Sequence, residues 1–170
     1  MLTKNLMSMK NYKWILIVVN LLLLIAYINY AIWSKEKTIQ DGQLILLELA
    51  PVDPRSLMQG DYMELNYAIT SNDNWTEIDK RGYIVVKVNQ QLIAEKVRMQ
   101  KDKQPLYQGE YLINYTAPTT WRLQIGAPSY FFQEGTASKF EIAKYGGLKI
   151  DNEGNSVLIG LYDANRNLIQ

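Results

Sequence analysis

The stretch PVDPRSLMQGDYMELNYAI, residues 51–69, carries the strongest local signals in this 170-residue sequence. In its second half, Met63, Leu65 and Tyr67 would fall on one side of an extended chain. The residues between them, Tyr62, Glu64 and Asn66, would fall on the other side. Alternation with a period of two is typical of a strand with one buried face. The pattern therefore predicts a half-buried β-strand.

The first half of the stretch has the composition of a tight corner. Pro54 fixes its own backbone and favours an extended Asp53, whose carboxylate can accept hydrogen bonds from amides near Ser56. Gly60 permits a positive φ or a close backbone approach. Asp61 can satisfy exposed amides in the same corner, and Arg55 can pair with either carboxylate. In this interpretation the segment sets the register of the strand that follows.

A second interpretation makes the same segment a recognition surface. Arg55, Asp61, Tyr62, Glu64 and Tyr67 offer the aromatic and charged groups that are found at protein interfaces. Both interpretations stay open at the level of sequence.

Strand-like runs continue along the chain and predict a mainly β domain. Residues 83–88 and 92–99 resemble a hairpin, and a closing hairpin is expected across the turn signal at 151–154. One segment breaks the pattern and predicts a short helix at about 136–145, with Thr136 as its cap and Gly146 at its end. The expected architecture is an antiparallel β-sandwich or barrel-like domain with one short helix.

The N-terminal part contains twenty uncharged residues, WILIVVNLLLLIAYINYAIW, at 14–33. As a helix they would span roughly 30 Å, the thickness of a bilayer's hydrocarbon core, with a tryptophan at each end. Residues 1–13 are predicted to form a cytoplasmic tail and 14–33 a transmembrane helix. Residues 34–42 are predicted to form a linker and 43–170 the β-rich domain outside the cytoplasm. Lys4, Lys10 and Lys13 before the span favour this orientation.

Composition restricts the chemistry. The chain has no histidine and no cysteine, so disulfides and thiolate chemistry are excluded, and the commonest general base and metal ligand are missing. All 17 acidic residues follow the apolar span, and no clustered basic face indicates nucleic-acid binding. We therefore expect no cofactor, no metal site, no nucleic-acid partner and no enzymatic activity.

The motif resembles the signature of the bacterial GDYXXLXY family. Gly60, Asp61, Tyr62, Leu65 and Tyr67 match its fixed positions, and DPRS, YFFQEGTA and GLKIDNEGNSVLIGLYD resemble its other blocks. The resemblance implies a single-pass protein of the bacterial cytoplasmic membrane, without an assigned activity and often encoded beside polytopic membrane proteins. It assigns no catalytic residue. Asp53, Pro54 and Arg55, together with the five motif residues, are our candidates for either a recognition surface or a structural corner.

These observations predict a binding or assembly module for a membrane-protein partner. Asn20 and Asn29 inside the span add a hint, because a buried asparagine can hydrogen-bond to a neighbouring helix. An enzymatic alternative is a Ser/Lys hydrolase that resembles a type I signal peptidase. Ser56 would be its nucleophile and Lys87, on a predicted strand, its base, provided that Lys87 is desolvated and within reach of Ser56.

Overall fold

The computed structural model describes residues 4–50, 62–70, 79–119 and 122–170, with side chains from Tyr12 onward and excluding that of Arg122. The chain divides between Lys37 and Thr38 into a helical unit and a second unit, called the head below. The elements in chain order are α1 (Lys4–Asp41), β1 (Gln43–Glu48), β2 (Tyr62–Glu64), a 3-10 helix (Ala68–Thr70), β3 (Arg81–Val88), β4 (Ala94–Gln100), β5 (Glu110–Thr119), β6 (Arg122–Ile125), β7 (Ser129–Phe131), α2 (Ala137–Phe140), β8 (Tyr145–Ile150) and β9 (Ser156–Tyr162).

Helix α1 is, among the helices that the structure describes, the one long and apolar enough to cross a membrane. It continues to Asp41 through most of the stretch 34–42, which was predicted to be a linker. The stretch SKEKTIQD contains no glycine or proline, so nothing in it interrupts a helix. The helix ends at Gly42, whose amide donates to the Thr38 carbonyl at 3.0 Å. A Cβ at Gly42 would lie only 2.3 Å from that carbonyl oxygen, so the ending requires glycine.

The head is built from antiparallel sheets, as predicted. One sheet has the strand order β1-β8-β9, a second has the order β4-β3-β5-β6, and a short two-stranded ribbon pairs β2 with β7. In the described residues these sheets do not close into a barrel. Both predicted hairpins are present, as β3–β4 and β8–β9. A parallel bridge between Leu46 and Ile93 joins the first two sheets.

The core lies between the inner faces of these sheets. Its fully buried side chains include Ile45 and Leu47 of β1, Ile84 and Val86 of β3, Ile113 of β5 and Leu148 of β8. Each such side chain stabilises the fold by roughly 1.5–3 kcal/mol relative to an exposed one. Val85 and Leu112, which are cross-strand partners, are buried on the opposite face of the larger sheet. The centre of that sheet is therefore covered on both sides.

The predicted short helix is present, but it ends earlier than the predicted residue 145. Helix α2 covers only Ala137–Phe140, and the chain enters β8 at Tyr145. Thr136 occupies the N-cap position of α2, as predicted, but its hydroxyl donates back to the Gln133 carbonyl at 2.6 Å and makes no capping hydrogen bond. Gly146 lies inside β8, opposite Leu47 of β1. The six residues of β8 pair their backbone groups with β1. If the helix continued into this segment, the backbone groups of β1 would lose these hydrogen-bond partners.

The β8–β9 turn forms as predicted from its sequence. The Asp151 carboxylate accepts hydrogen bonds from the backbone amides of Glu153 and Asn155 at 2.9 and 2.8 Å. Gly154 takes a positive φ of 85°. Burial alone would raise the pKa of Asp151, but hydrogen bonds from Asn155, Glu153 and Thr38 outweigh it and lower that pKa. The carboxylate thus serves the turn and holds the last turn of α1 within the head.

Candidate functional site

The motif strand divides its side chains between the core and the surface. Met63, Leu65 and Tyr67 are buried, and Tyr62 and Asn66 are exposed. Glu64 is half-buried. The predicted alternation is therefore confirmed, although regular strand pairing covers only Tyr62–Glu64.

Tyr67 anchors the end of the motif in the core. The residue is 2% exposed, and its hydroxyl donates to the Ala127 carbonyl at 3.1 Å. Burial raises the pKa of Tyr67 above the ordinary tyrosine value, so the hydroxyl stays a protonated donor. Its ring lies against β8 at Gly146, where a Cβ would be 2.9 Å from the ring. Tyr67 therefore ties the motif to two distant segments.

Leu65 makes a second attachment to the segment that follows β6. Its side chain is buried, and its backbone amide donates to the Pro128 carbonyl at 2.8 Å. The last two fixed residues of the motif, Leu65 and Tyr67, thus dock on neighbouring positions, 127 and 128. These contacts agree with the interpretation of the segment as a structural element.

Tyr62 has a different environment and forms an exposed aromatic pair with Phe131. The two residues are cross-strand partners in the β2–β7 ribbon, and their ring centroids lie 5.6 Å apart with a 41° tilt. Phe131 is 74% exposed and Tyr62 is 37% exposed. On either side of Phe131, the rings of Tyr130 and Phe132 pack against Phe140 at 5.3 and 5.2 Å. Strand β7 therefore directs one ring outward while its neighbours hold the ribbon on the core.

The remaining predicted site residues, Asp53, Pro54, Arg55, Gly60 and Asp61, lie outside the described residues. So does Ser56, the proposed nucleophile of the enzymatic alternative. Lys87, its proposed base, is exposed near the end of β3, with Glu95 and Glu110 as cross-strand partners. An exposed lysine between two carboxylate-bearing positions lacks the desolvation that would activate it as a base.

Sequence reasoning missed a charged cluster on the larger sheet. Arg98 donates to both carboxylate oxygens of Glu110 at 2.8 Å and to the Pro105 carbonyl at 2.7 Å. The Glu110 side chain is 3% exposed, and the Tyr107 ring centroid lies 5.3 Å from the guanidinium. The hydrogen bonds that Arg98 donates to Glu110 lower the pKa of Glu110 and raise the pKa of Arg98. The cluster is a structural ion pair, because Arg98 and Glu110 use these hydrogen bonds on each other and on the neighbouring backbone.

Sequence reasoning also missed Phe131 as a surface residue. The block YFFQEGTA leads into the predicted helix at about 136–145, and no strand was predicted at Phe131. Interpreted as a strand with a period of two, the same letters would have directed Phe131 to the face opposite Tyr130 and Phe132. Across the described ranges, no three acidic side chains converge in the arrangement that a metal ion would need.

A family model described as GDYXXLXY protein matches residues 24–161, which is most of the chain. The match begins inside α1 and ends in β9, so it includes the motif, the aromatic pair and nearly all of the core. Among curated proteins and among solved structures, no match was found.

Proposed function

We propose a function from one premise: this chain belongs to the GDYXXLXY protein family. We infer that it is a membrane-anchored, non-catalytic binding and assembly module of the bacterial envelope, and that its partner is a polytopic membrane protein. The anchor would be α1, crossing the cytoplasmic membrane once with the head outside the cytoplasm. The binding surface would be the aromatic pair, Tyr62 and Phe131.

The single observation that carries the proposal is the exposure of the aromatic pair beside two other fixed residues of the motif, Leu65 and Tyr67, that are buried. A phenylalanine ring that is 74% exposed forgoes the stabilisation that burial of so large an apolar side chain provides. Leu65 and Tyr67 attach the β2–β7 ribbon to the core, so the aromatic pair is already ordered in the unbound protein. Pre-ordered aromatic anchors are the residues that dominate binding energy at protein interfaces.

The anchor supports a partner in the same membrane. A head tethered to a bilayer meets proteins of the same membrane at a high effective concentration, so a small aromatic contact suffices for binding. The Lys37 ammonium lies 5.5 Å from the Trp33 ring centroid, a pairing that suits the boundary between lipid and water. Asn29 gives less support than expected for a hydrogen bond to a neighbouring helix, because its side-chain amide donates to the Ile25 carbonyl of its own helix at 2.8 Å.

Photo-crosslinking in native membranes tests this proposal. A benzoylphenylalanine placed at Phe131 replaces an exposed ring with a larger one and should leave the fold intact. We expect an adduct with an integral membrane protein, and we expect it to be lost when Tyr62→Ser is added. The matched control is the same probe at Val97, an exposed position on β4 of the four-stranded sheet. This position should give no such adduct.

Three results would contradict the proposal. An equal adduct from position 97 would show that proximity alone creates the crosslink. An adduct only between two copies of this chain would make the pair a self-association surface. Adducts with lipid only would assign the aromatic pair to the membrane surface.

A further inference from the structure

An open groove lies beside the first residues of β3, on a part of the head that the aromatic pair does not include. Its volume is about 380 Å³, and its lining includes Arg81, Tyr83, Lys101, Asn114 and Thr116. A volume of this size accommodates a small ligand with one or two rings. The groove therefore has room for more than bound water.

The sheet register places four of the lining residues on one face. Arg81 lies opposite Thr116 and Tyr83 lies opposite Asn114 in the β3–β5 ladder. Directly opposed residues of an antiparallel pair project from the same face. The Arg81 guanidinium, the Tyr83 ring, the Asn114 amide and the Thr116 hydroxyl thus come from two pairs of opposed residues, two positions apart along β3. Lys101 follows immediately after β4, the other neighbour of β3.

The charge of the groove favours an anion. Lys101 faces a carboxylate only at 3.7 Å, from Asp79, and the two side chains are 71% and 52% exposed. Such a solvent-exposed pair is weak and exchanges readily with another anion. Nearby Lys103 is engaged by Glu153 and contributes no spare charge. Among the described residues, the lining thus holds two cations, Arg81 and Lys101, and the carboxylate that pairs with Lys101 is the loosely held one of Asp79.

The polar wall of the groove is held in place. The Asn114 side-chain amide donates to the Asn155 side-chain oxygen at 3.1 Å, and the Asn114 backbone amide donates to the Gly154 carbonyl at 2.9 Å. The β8–β9 turn thus fixes this residue from the side away from β3. A fixed amide next to a tyrosine ring can hydrogen-bond to a hydroxyl group while the ring covers an apolar face.

We propose that this groove binds an anionic sugar, in which a phosphate or carboxylate group lies between Arg81 and Lys101. The sugar ring lies against Tyr83, and its hydroxyl groups hydrogen-bond to Asn114 and Thr116. Two sources supply this chemistry, a free sugar phosphate and a phosphate-bearing sugar unit of an envelope polymer. Arg81 can bind two oxygens of such an anion in a bidentate manner, and Lys101 adds a point charge.

Titration of the full-length protein in uncharged detergent micelles tests the proposal. Glucose 6-phosphate is added to ¹⁵N-labelled protein, and the backbone amides of Gly82, Asn114 and Tyr115 report binding. We expect saturable shifts at these amides, with a Kd below about 10 mM. Inorganic phosphate and uncharged glucose should each bind about tenfold or more weakly, because each offers only half of the contacts. A phosphodiester-linked sugar oligomer distinguishes the sources, since tighter binding than the monomer would indicate a polymer.

Variants complete the test. Arg81→Gln and Lys101→Gln each remove one exposed cation and should weaken binding about tenfold without changing the unfolding midpoint. The control Lys139→Gln removes an exposed lysine from α2 and should leave the Kd unchanged. Shifts without saturation, equal binding of glucose, equal binding of inorganic phosphate, or an equal loss in Lys139→Gln would each overturn the proposal. None of these results depends on the membrane-protein partner, so the two proposals fail separately.

Discussion

Replacement of Tyr67 by phenylalanine separates the structural half of the motif from its exposed half. The change leaves the ring packed against Gly146 and removes only the hydrogen bond to the Ala127 carbonyl, which measures 3.1 Å. Losing a buried hydrogen bond and leaving its acceptor unsatisfied costs about 1 kcal/mol. Tyr67→Ala also removes the ring and should cost about 3–5 kcal/mol. Because whole domains are stable by only about 5–15 kcal/mol, the second loss threatens folding.

The measurement is urea unfolding of the full-length protein in detergent, followed by near-ultraviolet circular dichroism. This signal reports the packing of aromatic side chains, most of which follow α1, although Trp14 and Trp33 of α1 also contribute. The far-ultraviolet signal reports secondary structure and therefore contains the whole of α1. With a slope of about 2 kcal/mol per M for a domain of this size, Tyr67→Phe should lower the midpoint by about 0.5 M. Tyr67→Ala should lower it by about 1.5–2.5 M.

Tyr62→Phe is the matched control, because it removes the same atom from the exposed tyrosine of the motif. Its free energy of unfolding should change by less than about 0.5 kcal/mol. If Tyr62→Phe destabilised the head as much as Tyr67→Phe, the division of the motif into a buried and an exposed tyrosine would be refuted. A similar refutation would come from a Tyr67→Phe protein with an unchanged midpoint.

Three further predictions concern pH and packing. Burial raises the folded-state pKa of Tyr67, so the contribution of Tyr67 to stability is complete below the unfolded-state pKa of about 10 and declines as pH rises above it. The difference in urea midpoint between wild type and Tyr67→Phe should therefore shrink at alkaline pH. The hydrogen bond from Arg98 lowers the folded-state pKa of Glu110, so the contribution of Glu110 to stability is present above the unfolded-state pKa of about 4.3 and is lost as pH falls. The urea midpoint of wild type should exceed that of Glu110→Gln at neutral pH, and a difference that stayed undiminished below about pH 4.3 would contradict this. Gly147→Ala would place a Cβ 2.3 Å from the Tyr162 ring and should cost about 1–3 kcal/mol in a denaturant titration, with part of the loss recovered by adding Tyr162→Leu.

The secondary structure of the head could largely be predicted from local patterns. The alternation from Tyr62 to Tyr67, the β3–β4 hairpin and the Asp151 turn each depend on residues that are close in sequence, so local interpretation suffices. The segment 136–145 could not be predicted in this way. Its spacing suits a helix, but Gly146 and Gly147 are needed in β8, where each gives room to a tyrosine ring, that of Tyr67 or Tyr162.

The candidate site was predicted in part. Leu65 and Tyr67 were identified as motif residues, but their roles as core attachments became evident only from their contacts with Ala127, Pro128 and Gly146. Phe131 was not identified as a surface residue at all. Its partner Tyr62 belongs to another block of sequence, and no local pattern links the two. The same holds for Arg81 and Thr116, which only the β3–β5 register brings together.

The sequence by itself determined the apolar span, the strand periodicity of the motif and the absence of histidine and cysteine chemistry. These are properties of composition and of neighbouring residues, and folding does not alter them. Only the tertiary structure decided which tyrosine of the motif is buried to its hydroxyl and which one meets Phe131 at the surface. These contacts join residues 60 positions apart (Tyr67 and Ala127) and 69 positions apart (Tyr62 and Phe131), and they are set by the register of strand pairs and by the volume that each side chain fills.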